Sequence, residues 1–201
     1  MCHLAIARCE QSIGNTSGEV EALISAARCY LKAEKNIHNL ECLSFEENLV
    51  SSIHGFNHAI RLLEEKEDLA RASGLCLELG DALLKLDKSE EALTFYKRAA
   101  GFRPKNSLSH LVALEKVGTT QILVGDQFSG LVTFTEMAGL AETQCKPRAV
   151  TSVYLDILAR CEVYRVLLLL LIQPRPQTMS PRYLKLHFFR PKLMENGLDF
   201  V

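Results

Sequence analysis

The chain has 201 residues, 23 basic and 24 acidic side chains, and a net charge of −1 at pH 7. Because the two signs of charge are mixed along the sequence, the chain as a whole attracts neither nucleic acid nor acidic lipid. Its seven cysteines form an odd set without a C-x-x-C pair, which argues against a disulfide framework or a clustered zinc site. Composition therefore favours a protein of the reducing cytoplasm or nucleus.

Apolar residues recur with a period near 3.6 almost everywhere, which predicts an all-α fold. Eight helices are expected, at about residues 1–12, 17–34, 45–65, 67–86, 88–101, 107–124, 126–142 and 149–172. Three pairs have the spacing of a capping box at a helix start: Thr16 with Glu19, Ser44 with Glu47, and Asp87 with Glu90. The connections are mostly short, so neighbouring helices should pack antiparallel as hairpins.

The most apolar stretch, "CEVYRVLLLLLIQPRP", occupies residues 161–176. Its uninterrupted part, 166–172, is about a third of the ~20 residues that a membrane-spanning helix needs. Extension backwards meets Arg165 and Glu162, and extension forwards meets Pro174 and Pro176. The sequence therefore predicts a soluble chain without a membrane span.

The last 29 residues differ from the rest, because they contain four of the six prolines and no helical stripe. Such a composition is typical of irregular or disordered chain. We therefore expect a helical array over residues 1–172 and an irregular C-terminal tail over 173–201.

One helix pair carries the spacing of a tetratricopeptide repeat. Its positions are Leu79, Gly80 and Leu83 in the fourth helix, Ala92 and Tyr96 in the fifth, and Pro104 beyond it. Gly80 and Ala92 are small where two helices approach closely, and the bulky Tyr96 fills the space between them. Pro104 ends the second helix.

The same pattern recurs 38 residues further on. Gly118, Gly130 and Phe134 then stand at the positions of Gly80, Ala92 and Tyr96. One constant offset across two helices favours a tetratricopeptide-like array of helical hairpins, an α-solenoid of about eight helices. The alternative is a plain helical bundle with a chance similarity.

No motif for catalysis or cofactor binding is recognisable. Gly-rich phosphate loops and G-x-S-x-G are missing. His54 and His58 lie one helical turn apart, but the glutamate of H-E-x-x-H and a third metal ligand are missing. We therefore expect a non-enzymatic protein without cofactor, metal or nucleic-acid partner.

Three segments together resemble a known family: "CHLAIARCEQ", "ASGLCLELGDALLKLDKSEEALTFYKRAA" and "LARCEVYRVLLLLLIQPRP". They are similar to the huntingtin-associated proteins encoded within an intron of the factor VIII gene. The likeness runs with gaps over roughly residues 1–176. Because family members are longer, the resemblance suggests a chain truncated at both ends.

The resemblance implies a tetratricopeptide-like protein that binds huntingtin, a giant helical-repeat protein, as a stable partner subunit. It also implies a link to early endosomes through a Rab5 effector complex that alters motility along the cytoskeleton. Two other functions stay open. One is a vesicle-fusion adaptor resembling the soluble NSF attachment proteins, and the other is a generic tetratricopeptide module that holds acidic peptides in a basic groove.

The leucine run is the candidate partner surface. Packing within the array should use one stripe of the eighth helix: Val153, Ile157, Cys161, Tyr164 and Leu168. The remaining circumference carries Leu167, Leu169, Leu170 and Leu171. A helix that is apolar all round must be covered on every side, so we expect a partner to bury these leucines.

Overall fold

The computed structural model describes residues 2–40, 47–104, 107–144 and 151–173, and the prediction of an all-α fold is confirmed for them. These residues form eight helices and no strand. The helices are α1 (Cys2–Ile13), α2 (Thr16–Asn39), α3 (Glu47–Glu65), α4 (Leu69–Leu84), α5 (Ser89–Gly101), α6 (Leu108–Leu123), α7 (Gln127–Gln144) and α8 (Thr151–Ile172). Residues 174–201, which make up nearly all of the expected tail, lie outside the described part of the chain.

The longest departure from the predicted bounds is at the end of α2, which continues to Asn39 instead of stopping near residue 34. The extension keeps the helical period, because Glu34 is buried and Ile37 is half-buried on the side that packs inward.

Two of the three predicted caps are wrong. The N-cap of α2 is Asn15, whose Oδ1 accepts from the backbone N–H of Gly18 at 3.2 Å, so Thr16 already lies inside the helix. The N-cap of α5 is Lys88, which makes no side-chain cap bond, and Asp87 precedes it with a φ of 59°. The third predicted cap residue, Ser44, lies outside the described residues.

The backbone of the turn between α4 and α5 explains why Asp87 is not the N-cap residue of α5. The N–H of Lys88 donates to the carbonyl of Leu83 at 3.0 Å, and the N–H of Asp87 donates to Leu84 at 3.2 Å. This pair of bonds around a left-handed residue closes a Schellman turn, which satisfies the last carbonyls of α4. The turn between α3 and α4 has the same form, with Glu67 as the left-handed residue at φ 59°.

The chain divides into two compact units, Met1–Gly125 and Asp126–Val201. In the first unit each of the helices α1 to α5 packs on the helix that follows it, and in the second unit α7 packs on α8. Six large buried apolar side chains of the successive helices α3, α4 and α5 belong to one core: Phe56, Ile60, Leu63, Leu79, Leu83 and Tyr96. Hydrophobic burial of this kind is the main stabilising contribution to such a unit.

Polar contacts in the first unit also join helices that are two apart in the chain. Four ion pairs do this: Arg28 of α2 with Glu78 of α4 at 2.6 Å, Glu21 of α2 with Arg71 of α4, Glu64 of α3 with Arg98 of α5 at 2.9 Å, and Asp81 of α4 with Lys116 of α6 at 2.6 Å. These contacts bring the polar edges of alternate helices together. They therefore place α2 beside α4 and α4 beside α6.

Candidate partner-binding surfaces

The core-facing side of α8 is only partly the predicted stripe. Ile157, Cys161 and Leu168 are buried as expected. Tyr164 is half-buried and stacks on Phe134 of α7, with ring centroids 4.3 Å apart and planes 9° apart. Val153 was wrongly assigned to the stripe, since 43% of it is exposed.

The structure places a charged residue on the buried side of α8. Arg165 is 1% exposed, and its Nη1 lies 2.5 Å from Oε1 of Glu162, one turn earlier in the same helix. A guanidinium needs such a carboxylate partner when it is taken out of water. Arg165 thus takes an inward position, while several apolar side chains of the same helix are exposed.

We call the exposed apolar residues of the second half of α8 the α8 apolar face. They are Val163, Val166, Leu167, Leu170 and Leu171, with exposed fractions of 59%, 38%, 57%, 66% and 62%. Their spacing of i, i+3, i+4, i+7 and i+8 puts all five on one side of the helix. Contiguous apolar surface of this kind marks a site of protein contact in many proteins.

Three of the four candidate leucines therefore lie on the α8 apolar face. Leu169 does not, because it is half-buried and is less exposed than these five residues. Val163 and Val166 were missed in the sequence, although their 3–4 spacing ahead of Leu167 and Leu170 was a signal that could have found them. Across the described part of the chain, no helix is both long and apolar enough to cross a membrane.

A second surface feature lies between α2 and α4 and was not expected at these residues. This α2–α4 groove has a volume of about 550 Å³. Its residues are Arg28, Leu31, Lys32 and Lys35 from α2, and Glu78, Asp81, Ala82, Lys85 and Leu86 from α4 and the turn after it. Basic side chains thus converge from two helices over an apolar floor.

The two acidic residues of the α2–α4 groove are each engaged by cations. Arg28 donates to both carboxylate oxygens of Glu78, at 2.6 and 2.7 Å, and the pKa of Arg28 is raised chiefly by this hydrogen bonding. Asp81 accepts from Lys116 at 2.6 Å and from the Tyr96 hydroxyl at 2.5 Å. Burial alone would raise the pKa of Asp81, but these hydrogen bonds outweigh it and hold the pKa below its usual value.

The repeat positions of the α4–α5 pair form the predicted close contact. A Cβ added at Gly80 would lie 2.6 Å from Cε1 of Tyr96, so no larger residue fits there without a shift. Leu79, Leu83 and Ala92 are fully buried around this contact. Gly118, Gly130 and Phe134 are buried in α6 and α7, and Pro104 is an exposed residue beyond the end of α5.

The histidine pair lies in α3, and Cys76 is buried in α4. Nε2 of His58 lies 3.8 Å from a carboxylate oxygen of Glu19, and the residues that the structure describes contain no group of three or more metal-ligating side chains. Burial raises the pKa of the Cys76 thiol to about 11. Cys76 is therefore protonated at neutral pH and is a poor nucleophile.

The described residues thus define an all-helical protein whose helices pack on their neighbours in the chain within each unit. The first unit presents the basic α2–α4 groove, and the second presents the α8 apolar face. The chain is similar to the 40-kDa huntingtin-associated protein of Rattus norvegicus and to that of Mus musculus. It is 30% identical to each over 233 residues, which cover 90% of this chain and 61% of the relative. No family model matches the chain.

The extent of this likeness shows two further facts. The chain spans about 61% of the length of the two relatives. The aligned 233 residues also exceed the 201 residues of the whole chain. The relatives therefore carry residues without a counterpart here, both outside and inside the aligned part.

Proposed function

We propose that this chain is a non-enzymatic scaffold or adaptor that binds huntingtin as a stable partner subunit. Two observations support the proposal. The chain is 30% identical to proteins named for association with huntingtin. The single structural observation that carries the proposal is the α8 apolar face, because five apolar side chains in one row are costly to leave in water.

We also propose that the helices form a tetratricopeptide-like array, an α-solenoid. The contact of Tyr96 with Gly80 supports this arrangement, because the repeat needs a small residue opposite a large one. The ion pairs between alternate helices support it too, since stacked hairpins put such helices side by side. Such an array offers long helix faces to a partner.

In this proposal the α8 apolar face lies in a hydrophobic groove of the partner. A helix bound in this way presents anchors at i, i+3, i+4 and i+7, which is the spacing from Val163 to Leu170. Fully burying one such side chain contributes about 1.5–3 kcal/mol. A few anchors therefore suffice for tight binding, provided that the helix is already formed and little ordering is needed.

The polar side chains with shifted pKa values support a structural role instead of catalysis. Burial, followed by the hydrogen bond to Asp81, raises the pKa of Tyr96, and Asp81 is in turn held by Lys116. The three groups join α4, α5 and α6. A general acid or base would instead need a proton that it can exchange with a substrate near neutral pH.

The cellular setting of the proposal follows from the resemblance alone. On that basis we propose a cytoplasmic protein, also present in the nucleus and at early endosomes. There it would act with huntingtin and, through that complex, with Rab5 in vesicle trafficking and motility.

The proposal is tested by replacing Leu167 and Leu171, which are both well exposed, with aspartate. Leu167→Asp with Leu171→Asp should weaken binding to purified huntingtin at least about tenfold, or ~1.4 kcal/mol. The measurement is a titration against immobilised huntingtin, with circular dichroism to show that helix is kept. Leu169 is left unchanged, because it is half-buried and its replacement would disturb folding as well.

The matched control puts two carboxylates on the exposed side of the first half of the same helix, as Val153→Asp with Ala159→Asp. This control should bind huntingtin like the parent chain. If the Leu167 and Leu171 variant also binds like the parent, the α8 apolar face is not the partner surface. The face would then serve to pack against further residues of a longer protein.

A further inference from the structure

We propose that the α2–α4 groove is a second docking site, which binds an acidic, extended protein segment whose carboxylates alternate with apolar side chains. The site is separate from the α8 apolar face and lies wholly within the first unit. The spacing of the lining residues, the balance of their charges and the character of the floor all favour such a segment.

The groove residues follow the helical period on both of its sides. On α2, Arg28, Lys32 and Lys35 stand at i, i+4 and i+7, and on α4 the equivalent positions are Glu78, Ala82 and Lys85. Seven residues of helix extend about 10 Å. An extended chain rises about 3.3 Å per residue, so roughly three residues of a bound segment fit between the two helices.

The charges of the groove leave a surplus of positive charge at one end. Four basic and two acidic side chains form its walls. Arg28 is matched by Glu78, and Asp81 is matched by Lys116, which lies outside the groove. Lys32 and Lys35 are exposed and form no ion pair with a carboxylate of the described residues. Lys85 is exposed as well, and its charge helps to lower the pKa of Asp81 without a direct ion pair.

The floor of the groove is apolar and can accept the apolar side chains of the proposed segment. Leu31 and Ala82 are half-buried, and Leu86 is almost fully buried. A side chain such as leucine or valine could therefore enter between the lysines and remove this floor from water. Pockets that combine an apolar floor with a few fixed polar groups are typical ligand sites.

The same residues argue against a nucleic acid as the occupant. Glu78 and Asp81 would face a continuous row of phosphates and repel it, whereas a peptide can place neutral residues opposite them. Sites for single strands also use aromatic side chains on which bases stack. The lining residues that the structure describes include no aromatic side chain.

The test uses a short fluorescent peptide in which glutamate and leucine alternate, and measures its fluorescence anisotropy with the full chain. Binding should weaken with added salt, because exposed charges are screened. Lys32→Glu with Lys35→Glu should weaken binding at least about tenfold. Glu78→Gln should instead strengthen binding a few-fold, since it frees Arg28 and removes a negative charge from the groove.

The matched control has the same change of charge outside the groove, as Lys66→Glu with Lys97→Glu, two exposed lysines. It should bind the peptide like the parent. An equal loss in both lysine variants would overturn the proposal, because the attraction would then be general. Equal binding of a peptide with glutamine in place of glutamate would overturn it as well.

Two further measurements distinguish a peptide site from a nucleic-acid site and the groove from the α8 apolar face. The first measurement replaces the peptide with a single-stranded oligonucleotide. If the oligonucleotide binds more tightly than the peptide, and the Lys32 and Lys35 variant no longer binds it, the groove is a nucleic-acid site instead. The Leu167→Asp, Leu171→Asp chain should keep its affinity for the acidic peptide. Failure of the α8 proposal would therefore leave the groove proposal standing, and the reverse also holds.

Discussion

The α4–α5 hairpin and helix α8 use polar and apolar residues in opposite ways. In the α4–α5 hairpin, Tyr96 packs on Gly80 inside, and Asp81 meets a lysine at the rim. In α8, Arg165 is almost completely buried while Leu170 is 66% exposed. The first arrangement is that of an ordinary amphipathic pair, and the second leaves apolar surface in water.

This contrast shows which part of the molecule buries its large apolar side chains against other described residues of the chain. The α4–α5 hairpin buries its large side chains against its own neighbours, so its contacts contribute to stability within the chain. The α8 apolar face is left exposed by the described residues and gains no such stabilisation from them. Changes in the hairpin should therefore affect unfolding, and changes on the α8 apolar face should affect association.

The largest effect on stability is expected at Gly80. Gly80→Leu would put a side chain where a Cβ alone lies 2.6 Å from Tyr96, so α4 and α5 must move apart. Overpacking of a core by that much should cost about 3 kcal/mol or more in the free energy of unfolding. Urea unfolding followed by circular dichroism measures this loss.

Gly74 provides the control, because it lies in the same helix and no atom is within 4 Å of its added Cβ. Gly74→Ala should be neutral or stabilise by up to about 1 kcal/mol, through the higher helix propensity of alanine. Adding Tyr96→Leu to Gly80→Leu should recover part of the loss by making room. Equal stability of Gly80→Leu and the parent would mean that the two helices are not in close contact.

The Gly80–Tyr96 contact was predictable because its cause is local and steric. A small residue, a bulky residue and a fixed spacing between two adjacent helices are all visible in one stretch of sequence. The helices themselves were predictable for the same reason, since a 3.6-residue period is a property of the chain read in order.

The side of α8 that faces out was not predictable in the same way. A run of leucines contains no polar position to mark the solvent side, and the nearest polar marker, Arg165, points inward with its partner Glu162. The sequence for this reason did not distinguish the half-buried Leu169 from the exposed leucines beside it. The α2–α4 groove had no local signal either, because Lys35 and Lys85 are brought together only by the fold.

A smaller effect on the free energy of unfolding is expected at Asp81. A substitution there tests whether the polar contacts at the rim stabilise the α4–α5 hairpin. Asp81→Asn removes the charge that Lys116 meets and weakens the bond from Tyr96, at a cost of about 1–2 kcal/mol. The carboxyl pKa is lower in the folded chain than its unfolded value of about 3.9. The stabilisation is therefore fully present above that unfolded value and is lost as the pH falls through the folded pKa.

The measurement for Asp81 is the free energy of unfolding of the variant and the parent between about pH 7 and pH 2, around the ordinary carboxyl pKa. The difference between the two chains should be constant above about pH 5 and shrink below about pH 4. Asp156→Asn serves as the control, because that carboxylate is 70% exposed and pairs with Arg160 in its own helix. A difference at Asp81 that did not change with pH would show that shape, and not charge, is what the residue contributes.

The smallest effect is expected at the two turns that bound α4, where Glu67 and Asp87 are left-handed at φ 59°. Only glycine adopts this conformation without a cost from its Cβ, so Glu67→Gly should stabilise the chain by up to about 1 kcal/mol. Asp87→Gly should gain less, because aspartate tolerates the left-handed region better than glutamate does.

The control is Glu65→Gly, at the helical end of α3, which should lower stability by about 0.5–1 kcal/mol. Thermal unfolding of the three variants therefore has to give opposite signs at positions 65 and 67, and a loss at both would mean that the turn is not closed around Glu67.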